Sequence, residues 1–336
     1  MIRPTDRREF IKSCATMGVG YAAMSLPLYR HTAVVPHGKR VGIIGLDTSH
    51  SISFAKAFNE EVQDARLKGY RVVAAYPYGS RTIASSANRI SGYTERVKEF
   101  GVSIVNSVAE LINQVDVVLL ETNDGRLHLE QALEVLQAKK RVFIDKPIAA
   151  SIADTKAIFN AADANGIQTF STSSLRYIEN IPDLKSGKLI GKITGVDAFA
   201  PAELEPTHPD LLWYGIHGVE MLYALLGTGC QEVTRVYGEG TDIAVGTWSG
   251  DRVGLFRGIR KGHGGLGGMA YGEEGQQVLG KFVGYRPLLY QIVDYFETGV
   301  APVKQEETIE LIAFMEAADE SKRRGGSPVS LAEFLA

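Results

Sequence analysis

Residues 41–50 read VGIIGLDTSH. The apolar run from Val41 to Ile44 stops at Gly45, and Thr48 and Ser49 are residue types that cap helix N-termini. Residues 52–58 then carry apolar side chains at helical spacing. A buried strand that turns tightly into a helix start is the first βα unit of a dinucleotide-binding sheet. Such a turn holds a diphosphate through free backbone N–H groups and the helix dipole. The usual pattern is G-x-G-x-x-G, but here Asp47 stands at the second glycine and His50 at the third. A carboxylate beside a diphosphate costs energy unless a cation or a protonated His50 intervenes. Gly45, Asp47, Thr48, Ser49 and His50 are the candidate cofactor contacts of this turn.

Strand-like runs follow at residues 71–76, 102–105, 115–120 and 141–144, with 169–173 as a candidate sixth. Helix-like segments lie between them at 83–100, 108–114, 127–138 and 152–165. This alternation predicts a doubly wound parallel sheet with helices on both faces. The second half changes character. Helices are expected at 183–190 and 211–226, then strands at 232–237, 242–248 and 252–257, a glycine-rich loop at 261–268, and closing helices at 286–298 and 306–324. The reading is an α/β chain: a leader and linker over 1–37, a nucleotide-type domain over 38–173, and an α+β domain with an open, mostly antiparallel sheet over 174–336.

The 336 residues are long enough for a core in each domain. A formal charge of −3, with no basic block after the leader, argues against nucleic acid as a partner. Cys14 and Cys230 are the two cysteines, with no zinc-type Cys/His spacing, so neither a disulfide nor a metal site is expected. No apolar run has membrane-spanning length. The start is distinctive: Asp6-Arg7-Arg8-Glu9-Phe10-Ile11-Lys12 precedes a mildly apolar stretch. That layout is a twin-arginine export signal and predicts a periplasmic protein; an N-terminal arm on a neighbouring subunit of a cytoplasmic protein is the alternative.

Four motifs occur in order: Gly45 with its strand, Asp145-Lys146-Pro147, Leu175-Arg176-Tyr177, and Trp213-Tyr-Gly-Ile-His217-Gly-Val-Glu220. Together they resemble the Gfo/Idh/MocA oxidoreductase family, from about residue 38 onward. The resemblance implies a Rossmann-type domain followed by a substrate and oligomerisation domain, hence a homo-dimer or homo-tetramer. It implies NAD or NADP as cofactor and a sugar, polyol or glycoside as substrate. It places Lys146 beside the substrate hydroxyl and nicotinamide, His217 as acid/base, Arg176 and Tyr177 near the substrate, and Glu121, Thr122 and Asn123 at the cofactor's edge.

Each residue also carries a reading of its own. Lys146 ends a parallel strand, where open α/β sheets place ligands, and a desolvated lysine can relay a proton. Pairing with Asp145 or Asp124 is its structural alternative. His217 lacks the aspartate that the family often carries four residues earlier, where Trp213 stands. Asp210 could replace it from two helical turns away, or serve only as a first-turn carboxylate. His208, with Glu203 and Glu205, sits in a loop that could line the pocket. No acidic residue follows the second strand to hold a ribose, whereas Ser80 and Arg81 could receive a 2′-phosphate, which leans toward NADP. The rival reading is a non-redox carbohydrate-binding protein on the same scaffold, with Asp47 marking a lost cofactor site.

Overall fold

The computed structural model describes residues 36–336; the arginine-pair leader, Cys14 and residues 31–35 of the linker lie outside them. The first layer is a five-stranded parallel sheet of β1 (Arg40–Ile44), β2 (Arg71–Tyr76), β3 (Ser103–Ile104), β4 (Val117–Leu120) and β5 (Arg141–Ile144). Its order is β3-β2-β1-β4-β5, so the chain reverses direction of growth between β1 and β4. The helices that follow those two strands pack on opposite faces of the sheet, and α/β sheets bind ligands at such a switch point. Helices α1 (Ser49–Asn59), α2 (Ala84–Glu99), α3 (Val108–Gln114), α4 (His128–Gln137) and α5 (Ile152–Ala164) link the strands. Thr48, Ser107 and Ser151 cap α1, α3 and α5 by accepting from backbone N–H groups in their first turns.

After α6 (Ile181–Lys185) comes β6 (Ile193–Pro201), then α7 (Asp210–Trp213) and α8 (Ile216–Leu226). Strands β7 (Cys230–Gly238), β8 (Thr241–Trp248), β9 (Arg252–Ile259), β10 (Gly267–Gly272) and β11 (Gly275–Val278) follow. Helices α9 (Arg286–Thr298) and α10 (Gln305–Arg323) precede the short β12 (Val329–Ser330). The second sheet runs β11-β10-β6-β9-β8-β7-β12, antiparallel throughout except for the β6–β9 pair. Helices α8 and α10 cover one face. The other leaves Phe199, Val236, Val253 and Tyr271 exposed, an open sheet face.

Three sequence expectations change. Residues 169–173 make a single parallel bridge, Phe143 to Phe170, rather than a strand. The helix expected over 211–226 breaks at Tyr214–Gly215 into α7 and α8. Strand β6 and the glycine-rich β10 and β11 carry weak local signals and form through pairing to neighbours. The cores also interleave: Leu288, Leu289, Ile292 and Phe296 of α9 pack with Val41, Ile43, Phe54 and Phe143 beneath the first sheet. The Tyr295 hydroxyl accepts from Val142 N at 3.2 Å and donates to Gln168 O at 2.5 Å. Among the described residues no helix is long and apolar enough to cross a membrane.

Candidate active site

A cavity of about 350 Å³ opens where the carboxyl end of β5 meets the starts of α1 and α8. Thr48, Ser49 and His50 enter it from α1, Asn123 from the loop after β4, Asp145 and Lys146 from the end of β5, and His217 from the first turn of α8. The Asp145 N–H donates to Leu120 O at 2.8 Å, extending the β4–β5 ladder by one residue and presenting Lys146 at its edge. The Lys146–Pro147 peptide is cis. Arg89 and Tyr93 of α2, Tyr214 and Tyr285 complete a polar and aromatic wall that the sequence reading did not include.

The electrostatics are those of a tuned site. His50 Nδ1 lies 3.0 Å from Asp145 Oδ1 and 3.9 Å from Glu121 Oε2, and its ring stands edge-on to Tyr285. Burial pushes the Asp145 carboxyl up, but His50 and the Lys146 ammonium outweigh it and hold the group below the ordinary carboxylate range. Burial, then the Asp145 charge, push Glu121 well above its usual value. Burial, then the Lys146 and His50 charges, hold His217 well below 6.5, so its imidazole is neutral at pH 7. His217 Nδ1 is 2.7 Å from Ser173 Oγ, which also accepts from Leu175 N at 3.2 Å. Ser173 thus orients the ring where an aspartate was expected. The hydroxyl run 171–174 was its only signal in the sequence.

Asp47 takes an unexpected role. Its side chain is fully buried and faces no anion site: Oδ2 accepts from Ser80 N at 2.9 Å and Oδ1 from Asn123 N at 3.0 Å. Burial pushes the carboxyl up to about 6, with those two N–H donors opposing. The loop after β2 is pressed so close that a Cβ at Gly79 would overlap the Asp47 carboxylate. Gly45 is required for the same closeness on the other side, with φ of 90° and its Cα against the Thr122 backbone. Further bonds join the loops after β2 and β4: Ser80 Oγ to Asp124 at 2.8 Å, Arg126 to Thr82 at 2.8 Å, and Asn123 to Ser86 at 2.9 Å.

A dinucleotide runs its ribose past the end of β2 and its diphosphate over the helix start. The start of α1, Asn123 and Lys146 fit the nicotinamide-side half. Asp47 ties together the two loops past which the adenosine-side half would run. The expected contacts of Ser80, Glu121 and Thr122 change accordingly. Ser80 is spent on Asp124, and Glu121 is enclosed beside Asp145. Thr122 Oγ1 donates to Gln131 at 2.8 Å and Thr122 O faces His128 Nε2 at 2.6 Å. Arg81 is exposed over the Tyr78 ring.

Four substrate-side expectations are corrected. Asp210 is remote from His217, paired with Lys322 at 2.6 Å and Arg235 at 3.0 Å, because the break between α7 and α8 ends the shared helical face. Arg176 is buried between Glu220 at 2.7 Å and Glu307 at 2.5 Å, a structural triad away from the cavity. Tyr177 is half-buried, and its hydroxyl is enclosed in protein. His208 lies against Trp213 and 3.3 Å from Asp124, tying its loop to the one after β4. Asp124 is held low: burial raises it, but Arg126, His208 and Ser80 outweigh that.

Among solved structures, the chain resembles the NAD(H)- and myo-inositol-bound myo-inositol dehydrogenase of Lactobacillus casei, with a TM-score of 0.68, 15% identity, and 87% of this chain and 96% of that one covered. The scyllo-inositol dehydrogenase of the same organism, with NAD(H) and scyllo-inositol, gives 0.68 and 15% over 87% and 99% of the two chains. An oxidoreductase from Thermotoga maritima gives 0.67 and 17% over 88% and 99%. At such identities the likeness is one of fold. No protein of curated function matches the chain. Residues 39–173 match the oxidoreductase family with an NAD-binding Rossmann fold. Over that stretch, which holds Gly45 and Lys146, the chain is similar to the Gfo/Idh/MocA oxidoreductase family.

Proposed function

We propose that the protein is an oxidoreductase acting on a small polyhydroxylated carbohydrate or polyol held in the cavity, with NAD or NADP as redox partner. The observation that carries this reading is the convergence of a half-buried neutral imidazole, His217, and the Lys146 side chain on one polar cavity. With Nδ1–H donated to Ser173 Oγ, Nε2 is the nitrogen left to take a hydroxyl proton. The Lys146 ammonium stabilises the alkoxide character that develops as the proton leaves. A nicotinamide, when bound, supplies the hydride acceptor. Tyr214 and Arg89 offer hydrogen-bonding groups to neighbouring hydroxyls. The inositol complexes of similar fold favour a cyclic polyol as the first class to screen.

A second reading has an observation of its own. The Asp47 stitch across the adenosine side favours a non-redox carbohydrate-binding protein. The test is to denature purified protein, identify any released nucleotide, and titrate stripped protein with NAD and NADP. Wild-type binding below about 100 µM, near the usual KM range, supports the redox reading. No binding at millimolar nucleotide, with retained polyol binding, overturns it in favour of the second. Asp47→Gly restores the glycine and is expected to tighten nucleotide at least about tenfold, or ~1.4 kcal/mol. Arg81 carries any preference for NADP, so Arg81→Ala should weaken NADP and leave NAD unchanged.

Two further parts of the proposal rest on sequence and shape. Arg7-Arg8 and the following apolar stretch direct the chain to the periplasm, and cell fractionation with an Arg7→Lys/Arg8→Lys variant tests this. The open face with Phe199, Val236, Val253 and Tyr271 pairs with a second copy. A monomer mass by light scattering at micromolar concentration would overturn that assembly.

A further inference from the structure

We propose that His50, Glu121 and Asp145 form a divalent-cation site whose open positions face the cavity. Topology brings the three together. β1, β4 and β5 are neighbours, and Ile44, Leu120 and Ile144 are aligned in register at their carboxyl ends. Glu121 and Asp145 are the next residues on two of those strands, and His50 enters from the first turn of the helix after the third. One ligand atom from each residue lies within 4.8 Å of the other two, and all three side chains are buried. The His50 Nδ1 separations of 3.0 and 3.9 Å bracket the spacing of adjacent ligands around one ion, roughly 3.0–3.4 Å for bonds of about 2.1 Å.

An independent observation points to a bound ion. Both Glu121 oxygens and Asp145 Oδ2 are buried without any hydrogen-bond partner among the described residues. Glu121 is 0% exposed, closed off from bulk solvent. Buried carboxylate oxygens are nearly always hydrogen-bonded or metal-bound. The Lys146 and His50 charges face Asp145, and neither is hydrogen-bonded to Glu121, whose carboxylate is left without a direct partner. A proton on Glu121 would balance the charge, yet it leaves three acceptor positions to be shared by a single donor. A divalent ion satisfies them together.

One imidazole and two carboxylates suit Mn2+, Fe2+ or Zn2+. Because His50 and Asp145 also line the cavity, remaining coordination positions point toward the space beside Lys146 and His217. Two neighbouring hydroxyls of a polyol, or a substrate carboxylate, are the ligand chemistry such positions take.

The test uses the full chain, stripped with chelator and titrated with Mn2+ and with Zn2+ by calorimetry, with metal content measured after dialysis. One ion per chain is expected, at micromolar affinity or tighter, weakened at least about a hundredfold in Glu121→Gln and Asp145→Asn. Glu121→Gln keeps the side chain's size, and its circular dichroism verifies that the fold is retained. Absence of a stoichiometric ion in wild type overturns the site. So does unchanged affinity in Glu121→Gln, or a variant more thermostable than wild type in the presence of metal, which marks Glu121 as a protonated core residue. These readouts need neither nucleotide nor turnover, so their failure leaves the proposed function standing and is distinguishable from failure of that reading.

Discussion

Replacing Lys146 with alanine is expected to lower turnover about a thousandfold while leaving substrate affinity within about threefold. The side chain is only 7% exposed and stands beside Asp145 on the cavity wall, so its charge acts where water screens little. Its loss should be felt mainly when charge develops on the substrate oxygen, which is a kcat effect rather than a binding effect. Single-turnover rates and equilibrium titration separate the two, and an unchanged rate removes Lys146 from the mechanism. The variant has a second signature. Burial and then the Lys146 charge depress His217, so Lys146→Ala should move the His217 titration upward, toward 6.5. The acid limb of the residual rate profile, or the ring's NMR shift, should move with it. Ser173→Ala should instead lower kcat about ten- to a hundredfold, because it frees the ring without touching charge.

Arg176→Ala is expected to destabilise the fold by about 3–5 kcal/mol, because it leaves the buried Glu220 and the half-buried Glu307 without their cation. Thermal unfolding of a chain this size should drop by roughly 10 °C. Burial raises the Glu220 carboxyl, with Arg176 opposing, so removing the arginine shifts it further upward and the loss should be smaller at low pH. In sign terms, a carboxylate raised above its unfolded value contributes stability at acid pH that is lost as pH rises through the folded value. A triple change, Arg176→Met with Glu220→Gln and Glu307→Gln, should recover much of the deficit. A melting shift below about 2 °C in Arg176→Ala would show that the triad does not stabilise the fold.

What was legible in the chain was local. The apolar run ending at Gly45, the strand–helix alternation and the placement of Asp145-Lys146 after a strand each follow from periodicities of a few residues. His217 was legible through its flanking glycines and the family motif. The role of Asp47 was not, because its partners are the N–H groups of residues 33 and 76 positions away. A carboxylate at a glycine position reads as an obstacle to an anion; the same carboxylate satisfies two backbone donors once the loops fold over it. Asp210 misled for a different reason. Its spacing from His217 implies a shared face only if the helix is continuous, and Tyr214–Gly215 interrupts it. The link from Ser173 to His217 was not legible, because no spacing ties a hydroxyl before one turn to an imidazole 44 residues later.

Helix α9 completes the hydrophobic layer beneath β1 and β5 although it arrives more than a hundred residues after both, and the Tyr285 that precedes it stands against His50 in the cavity. During synthesis, therefore, the first sheet emerges with its underside uncovered and stays so until residue 298 has left the ribosome. Neither the cavity wall nor a lasting cover for Val41, Ile43 and Phe54 exists before then. The time between translation of β5 and of α9, about 8–30 s at 5–20 residues per second, is the interval in which this chain most needs protection from aggregation.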